Sequence, residues 1–246
     1  MRNIKLTLAY DGSGYSGWQI QPQPGIKTVQ GTLEQALEQL LGHKVKTNAS
    51  GRTDAGVHAK GQVVNFTTDN PIPDSKLPIA LNSIMPEDVV AIDCIWVEDD
   101  FHARYSAKKK RYRYTIMTDK IAWPFYRNTV YHFPRQLNVD EMKVAAEHIE
   151  GRYDFSSFCS SQASVTDFVR EVYLCQISKE ENFIYLDIEA NGFLYNMVRI
   201  IVGTILEVGS GRLKADKISE IIEAKNRRAA GPTAPANGLC LEKVYY

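Results

Sequence analysis

Hydrophobic periodicity along this chain alternates between two and three-to-four residues in one order, twice over. That order restricts the fold more than any other feature. Ile4, Leu6, Leu8 and Tyr10 recur at period two, which predicts a strand over 3–10 with one buried face. After a Gly/Pro-rich stretch, Val29, Leu33, Ala36, Leu37, Leu40 and Leu41 recur at helical spacing, and Gly42 stops the helix. Strands are predicted near 44–50 and 61–68, a short helix over 75–85 ending at Pro86, and a strand over 89–97. The sum is a β-α-β-β-α-β unit, the ferredoxin-like or split βαβ arrangement.

The second half repeats the order with additions. Residues 104–117 read as a strand, 139–150 as a helix, 169–178 and 183–190 as strands, 194–208 and 214–225 as helices, and 239–245 as a closing strand. The expected fold class is therefore α+β, with two ferredoxin-like (RRM-like) halves, 1–103 and 104–246. These would form a largely antiparallel sheet with a central cleft. The duplication rests on element order alone, since the halves show no visible sequence similarity.

Composition narrows the class. With 246 residues, 44% apolar and 24% charged, the chain has the mix of an ordinary globular protein, which excludes disorder, collagen-like repeats and a disulfide scaffold. No run approaches the roughly 18 apolar residues of a membrane span, and the first residues alternate rather than forming a signal-peptide core. A cytoplasmic protein is expected. Cys94, Cys159, Cys175 and Cys240 lie far apart with no Cys/His cluster, so reduced structural thiols are expected and no metal site.

Net charge is zero, yet residues 1–103 carry eight basic and twelve acidic side chains and the remainder 21 and 17. Arg104, Lys108, Lys109, Lys110, Arg111 and Arg113 fall within ten residues without an acid. Such a run attracts anions, or else is a solvated edge. In 101–114, FHARYSAKKKRYRY, strand alternation sends Tyr112 and Tyr114 to one face and Arg111 and Arg113 to the other. Cations for phosphates and rings for unstacked bases are what single-stranded RNA recognition uses, whereas a tyrosine-rich core strand is the plainer alternative.

Three other segments bear on chemistry. Residues 12–17, GSGYSG, spell a dinucleotide-binding G-x-G-x-x-G, but the fingerprint needs a helix to follow, and Pro22, Pro24 and Gly25 forbid it. A nicotinamide site is rejected. Residues 50–59, SGRTDAGVHA, place Asp54 between two glycines, with Arg52 two before and His58 four after. An ionised aspartate beside arginine is available as nucleophile or base, against the alternative of a turn-capping residue. Metal binding through Asp54 and His58 lacks a third ligand. In 191–203, NGFLYNMVRIIVG, Arg199 interrupts an apolar run and shares a helical face with Asn196 and Gly203. A buried arginine there needs an anion, for which Asp54 is a candidate; a snorkelling one does not.

Together these segments closely resemble the tRNA pseudouridine synthases. SGRTDAGVHA matches the family's catalytic loop, FHARYSAKKKRYRY its second motif and NGFLYNMVRIIVG its third. YDGSGYSGWQIQP, YDFSSF at 153–158 and PANGLCLEKVYY at the end also look like family sequence. The resemblance implies Asp54 as the catalytic aspartate, Arg199 as its charge partner and Tyr112 as the ring that stacks on uracil. It further implies two ferredoxin-like halves, a homodimer that binds tRNA, and isomerisation of uridines 38–40 on the 3′ side of the anticodon stem-loop, without metal or cofactor. Arg52, from its adjacency to Asp54, is expected to hold the flipped state, and Arg104, Lys108, Lys109, Lys110 and Arg111 to meet the RNA backbone. Whether the aspartate attacks sugar or base, or abstracts a sugar proton, the residues leave open. Residues 160–168 carry no motif. A non-catalytic RNA-binding protein of paired RRM-like sheets is the alternative, disfavoured because no RNP1 sequence occurs.

Overall fold

A computed structural model describes residues 1–161 and 165–246; of the motif-free stretch 160–168, residues 162–164 lie outside the described residues. In chain order the elements are β1 (Arg2–Tyr10), α1 (Val29–Leu41), β2 (Asn48–Ala49), β3 (His58–Thr68), α2 (Leu77–Asn82), β4 (Val89–Val97), β5 (Lys109–Met117), β6 (Tyr131–His132), α3 (Val139–Glu147), β7 (Gly151–Asp154), β8 (Val169–Glu180), β9 (Phe183–Ala190), α4 (Met197–Gly209), α5 (Lys217–Ala224) and β10 (Leu239–Tyr245). The chain is α+β with mostly antiparallel pairing. It divides into two compact units, Met1–Lys108 with Cys240–Tyr246, and Lys109–Leu239.

In the first unit β1 lies between β4 and β3, antiparallel to both. β2 pairs with one end of β3 through Asn48 and Asn65, and β10 runs parallel to the other end through Cys240 and His58. The terminal strand, expected with the second half, thus clusters with the first. α1 forms where its sequence says: the Thr28 side chain accepts from Gly31 N–H, and Gly42 ends the helix at φ +79°. Its Val29, Leu33, Ala36, Leu37 and Leu41 are buried. The strand expected over 44–50 shrinks to two residues because α1 competes for its backbone. Glu34 Oε1 accepts from Thr47 N–H at 2.8 Å and from the Thr47 hydroxyl at 2.9 Å. The helix expected over 75–85 is a 3-10 turn, Asp74–Lys76, followed by the six residues of α2.

In the second unit the sheet order is β5-β9-β8-β7, with β6 alongside β5. The first strand begins at Lys109 rather than 104, because Ser106 N–H closes a turn onto His102 O. β6 and β7 have no counterpart in the sequence reading, being too short to show a period. α4 is buried almost all round, which makes it the core helix of this unit, with α3 packed on it.

Polar groups also organise the first unit. Asn65 on β3 donates to Asn3 Oδ1 at 3.0 Å and accepts from Ala103 N–H at 2.9 Å, and Asn3 donates to Glu98 O and Phe101 O. Both asparagines are buried, so the pair ties segment 98–103 down at full hydrogen-bond satisfaction. Asn65→Leu strands Ala103 N–H and Asn3 Oδ1; it is expected to cost about 2–3 kcal/mol, read as a lower urea midpoint at unchanged slope.

Candidate active site

The loop after β2 is built from backbone held on two sides. Ser50 N–H still donates to Val63 O on β3. The chain then leaves the ladder, and Val57 N–H closes a turn onto Asp54 O at 3.1 Å, with Gly56 in the left-handed region at φ +77°. Asp54 is half-buried and Arg52 exposed.

The other side is the segment after β1. Trp18 N–H donates to Thr53 O at 3.0 Å, and Gly56 N–H donates to Tyr15 O at 3.3 Å. Two glycines permit this approach. A Cβ on Gly12 would sit 2.1 Å from Val57 O, and one on Gly17 2.8 Å from Thr53 O. Gly12 and Gly17 of GSGYSG therefore serve the Asp54 loop, and the helix that a dinucleotide fingerprint requires is absent there: Gly12–Gly14 is one 3-10 turn capped by Asp11. Gly12 N–H also donates to His58 Nδ1 at 3.1 Å. Asp11 Oδ1, which accepts from Ser13 N–H and hydroxyl, lies 3.2 Å from the same nitrogen. With Nδ1 so engaged, His58 does not offer that nitrogen to a metal beside Asp54.

Beneath the loop sits a polar cluster that sequence reasoning missed. Gln62 of β3 donates to Gly51 O at 2.9 Å and accepts from the Ser50 hydroxyl at 2.7 Å. The Tyr10 and Thr53 hydroxyls meet at 2.8 Å. Tyr10 and Gln62 carry no local signal of this task, since each sits at a regular strand position.

Arg199, in the second unit, is anchored from two directions. Its Nη1 donates to Asn196 Oδ1 at 2.8 Å and its Nε to Ala234 O at 2.8 Å. Asn196 stands at the helix start with φ +61° and itself donates to the Ser160 hydroxyl. Gly203 faces the same segment: a Cβ there would lie 1.7 Å from Pro232 O. Arg199 and Gly203 thus form a docking face for residues 232–234, Asn196 holds the Arg199 fork, and the guanidinium is oriented rather than snorkelling.

On β5 the two faces separate as expected. Tyr114 is fully buried with its hydroxyl on Pro235 O at 2.8 Å, making it the core residue of the pair. Tyr112 is 8% exposed and packs edge-to-face on Phe193 at 5.1 Å. On the opposite face, acids of β9 answer the cations. Lys109 pairs with Glu189 at 2.5 Å, and Arg111 and Arg113 with Asp187 at 3.2 and 2.7 Å. Lys110 is half-buried, whereas Arg104 and Lys108, at the end of the first unit, are exposed. Lys109, Arg111 and Arg113 are therefore committed within the sheet. The Cys94 and Cys240 thiols are pushed up to about 12 by burial, which keeps them protonated and unreactive.

A family model described as tRNA pseudouridine synthase matches residues 7–106 and 145–246. Proteins named tRNA pseudouridine synthase A are similar over the whole length. The one from Moorella thermoacetica is 49% identical over 243 residues, covering 99% of both chains. Those from Thermoanaerobacter sp. strain X514 and Caldicellulosiruptor bescii are 49% and 50% identical over 246 residues, covering 100% of both. Among solved structures, an archaeal box H/ACA sRNP Nop10-Cbf5 complex matches 92% of this chain and 59% of its own at 13% identity and a TM-score of 0.38, too slight to bear on the fold. On its family match and full-length relatives, the chain belongs to the tRNA pseudouridine synthase family.

Proposed function

We propose that this enzyme isomerises uridines 38–40 on the 3′ side of the tRNA anticodon stem-loop, with the Asp54 carboxylate as its catalytic group. The observation that carries the reading is the loop itself: an aspartate on a turn whose backbone is pinned to β3 and to segment 12–18. Uracil leaves C1′ through N1, turns, and rejoins C1′ through C5; the C5 proton is lost and N1 ends protonated. The conversion is redox-neutral, so the chemistry asks for a fixed carboxylate and a held base rather than for a cofactor or metal.

Arg199 is the charge partner of that carboxylate, its fork pre-set by Asn196 and the Ala234 carbonyl. Tyr112 stacks on the uracil, and Arg52 occupies the space it vacates. Arg104 and Lys108 meet phosphates directly, with Lys110 and the acid-held Lys109 and Arg111 adding local positive charge. The working form is a cytoplasmic homodimer with tRNA touching both subunits. Among the described residues no helix is long and apolar enough to cross a membrane.

Asp54→Asn keeps the shape and loses the charge. Tritium release from C5-labelled uridine in bulk tRNA should fall by on the order of 10⁴-fold or more, with tRNA affinity within a few-fold of wild type. Turnover near the wild-type rate would overturn the assignment. Arg199→Leu should lower the single-turnover rate about 100-fold, and Arg199→Lys less, because the ammonium restores charge but not the fork. A fully active leucine variant would leave Arg199 a purely structural residue.

Arg104→Ala and Lys108→Ala should each flatten the slope of log affinity against log salt by roughly 0.7–0.9, at unchanged rate on saturating tRNA. Tyr112→Leu should do the reverse, holding the slope and lowering the rate. Filter binding between 50 and 200 mM salt separates the two, and an unchanged slope in the Arg104/Lys108 double variant places the RNA elsewhere.

A further inference from the structure

We infer that Tyr10, Thr53 and Gln62 are positioning residues for the reaction: a buried hydrogen-bonded chain from strands β1 and β3 that sets where the Asp54 backbone stands. The inference rests on the reading of Asp54 as the catalytic carboxylate. Ser50 N–H keeps a ladder hydrogen bond to Val63 O, and side chains of β1 and β3 add a further hold on residues 50–53. Gln62 spends its whole amide on this. Its Nε2 donates to Gly51 O at 2.9 Å and, more weakly, to Tyr10 Oη at 3.4 Å. Its Oε1 accepts from the Ser50 hydroxyl at 2.7 Å and from Val63 N–H at 3.1 Å. A backbone carbonyl on one side and a backbone N–H on the other leave the amide only one way to face. The Tyr10 hydroxyl then reaches Thr53 Oγ1 at 2.8 Å, one residue before Asp54.

All of these side chains are buried. Apolar side chains in their place would avoid the desolvation of three polar groups, so packing alone gives no reason for them. What they supply is placement, since Tyr10 and Gln62 stand on the paired strands β1 and β3 and meet the loop at residues 50, 51 and 53. Burial also lifts the Tyr10 phenol well above its ordinary range. The chain therefore does not titrate at working pH and holds one geometry across it. A catalytic group displaced by about 1 Å can lose about 100-fold in rate.

The test is single-turnover isomerisation of saturating C5-tritiated tRNA, with tRNA affinity and thermal melting measured on the same samples. Tyr10→Phe and Thr53→Val should each lower the rate about tenfold, with affinity within twofold and the pH–rate profile unchanged in shape. Thr53→Ser should restore the rate, and the Tyr10→Phe/Thr53→Val double variant should be no slower than either single one. Gln62→Glu, which turns a carboxylate oxygen toward Gly51 O, should lose about 100-fold. If that variant does not fold, the Tyr10 and Thr53 variants decide. Wild-type single-turnover rates in folded Tyr10→Phe and Thr53→Val, even with lowered melting temperatures, overturn the positioning role. An inactive Asp54→Asn beside a fully active Tyr10→Phe sinks this inference alone, whereas an active Asp54→Asn sinks the reading beneath it.

Discussion

Strand β1 is hydrogen-bonded along both edges, to β3 on one side and β4 on the other, and the first unit hangs on that fact. A strand so enclosed cannot shift register without turning its whole apolar set, Ile4, Leu6, Leu8 and Tyr10, out of the core. Its C-terminal end, paired on both sides up to Tyr10, is a fixed point from which to hold a loop. From there Tyr10 reaches Thr53, and Gly12 lets the backbone lie against Val57 closer than any side chain allows. The loop that carries Asp54 inherits its precision from the sheet.

The second unit uses charge differently. Arg111, Arg113 and Lys109 project from one face of β5 onto Asp187 and Glu189 of the neighbouring strand. These acids are largely buried, and an unpaired carboxylate there would carry a heavy desolvation cost. Exposed pairs are worth little, but here the acids lie inside while the cations' outer atoms stay wet, so pairing chiefly relieves the acids. The outward cations keep the face positive without leaving a buried charge unanswered. Behind them, Tyr112 and Tyr114 fill the apolar side, with Tyr114 fixed to Pro235 O and Tyr112 set against Phe193.

Helices α1 and α4 were legible because their signals are local: a period of three to four ended by Gly42 for one, and an apolar run interrupted by Arg199 for the other. The strands over 89–97 and 183–190 are observed at those same bounds for the same reason. Where the reading departed from the structure, a distant group had intervened. Glu34 of α1 took the Thr47 N–H that a longer β2 would have given to its ladder. His102 O took Ser106 N–H and delayed β5 to Lys109. β10 joined the first unit by parallel pairing with β3, which no pattern in 239–245 announces.

The sequence by itself determined the element types, the rejection of a dinucleotide site, and the three segments that carry Asp54, Tyr112 and Arg199. Each of these follows from residues near one another in the chain. Tertiary structure alone decided why Gly12 and Gly17 of GSGYSG are there, which cations of the basic run are spent on Asp187 and Glu189, and which side chains hold the Asp54 loop. Those answers depend on atoms from 11 to 80 residues apart meeting within 3.2 Å. Hydrogen bonds and steric contacts act at that range whatever the separation along the chain, whereas periodicity and capping register only neighbours in sequence.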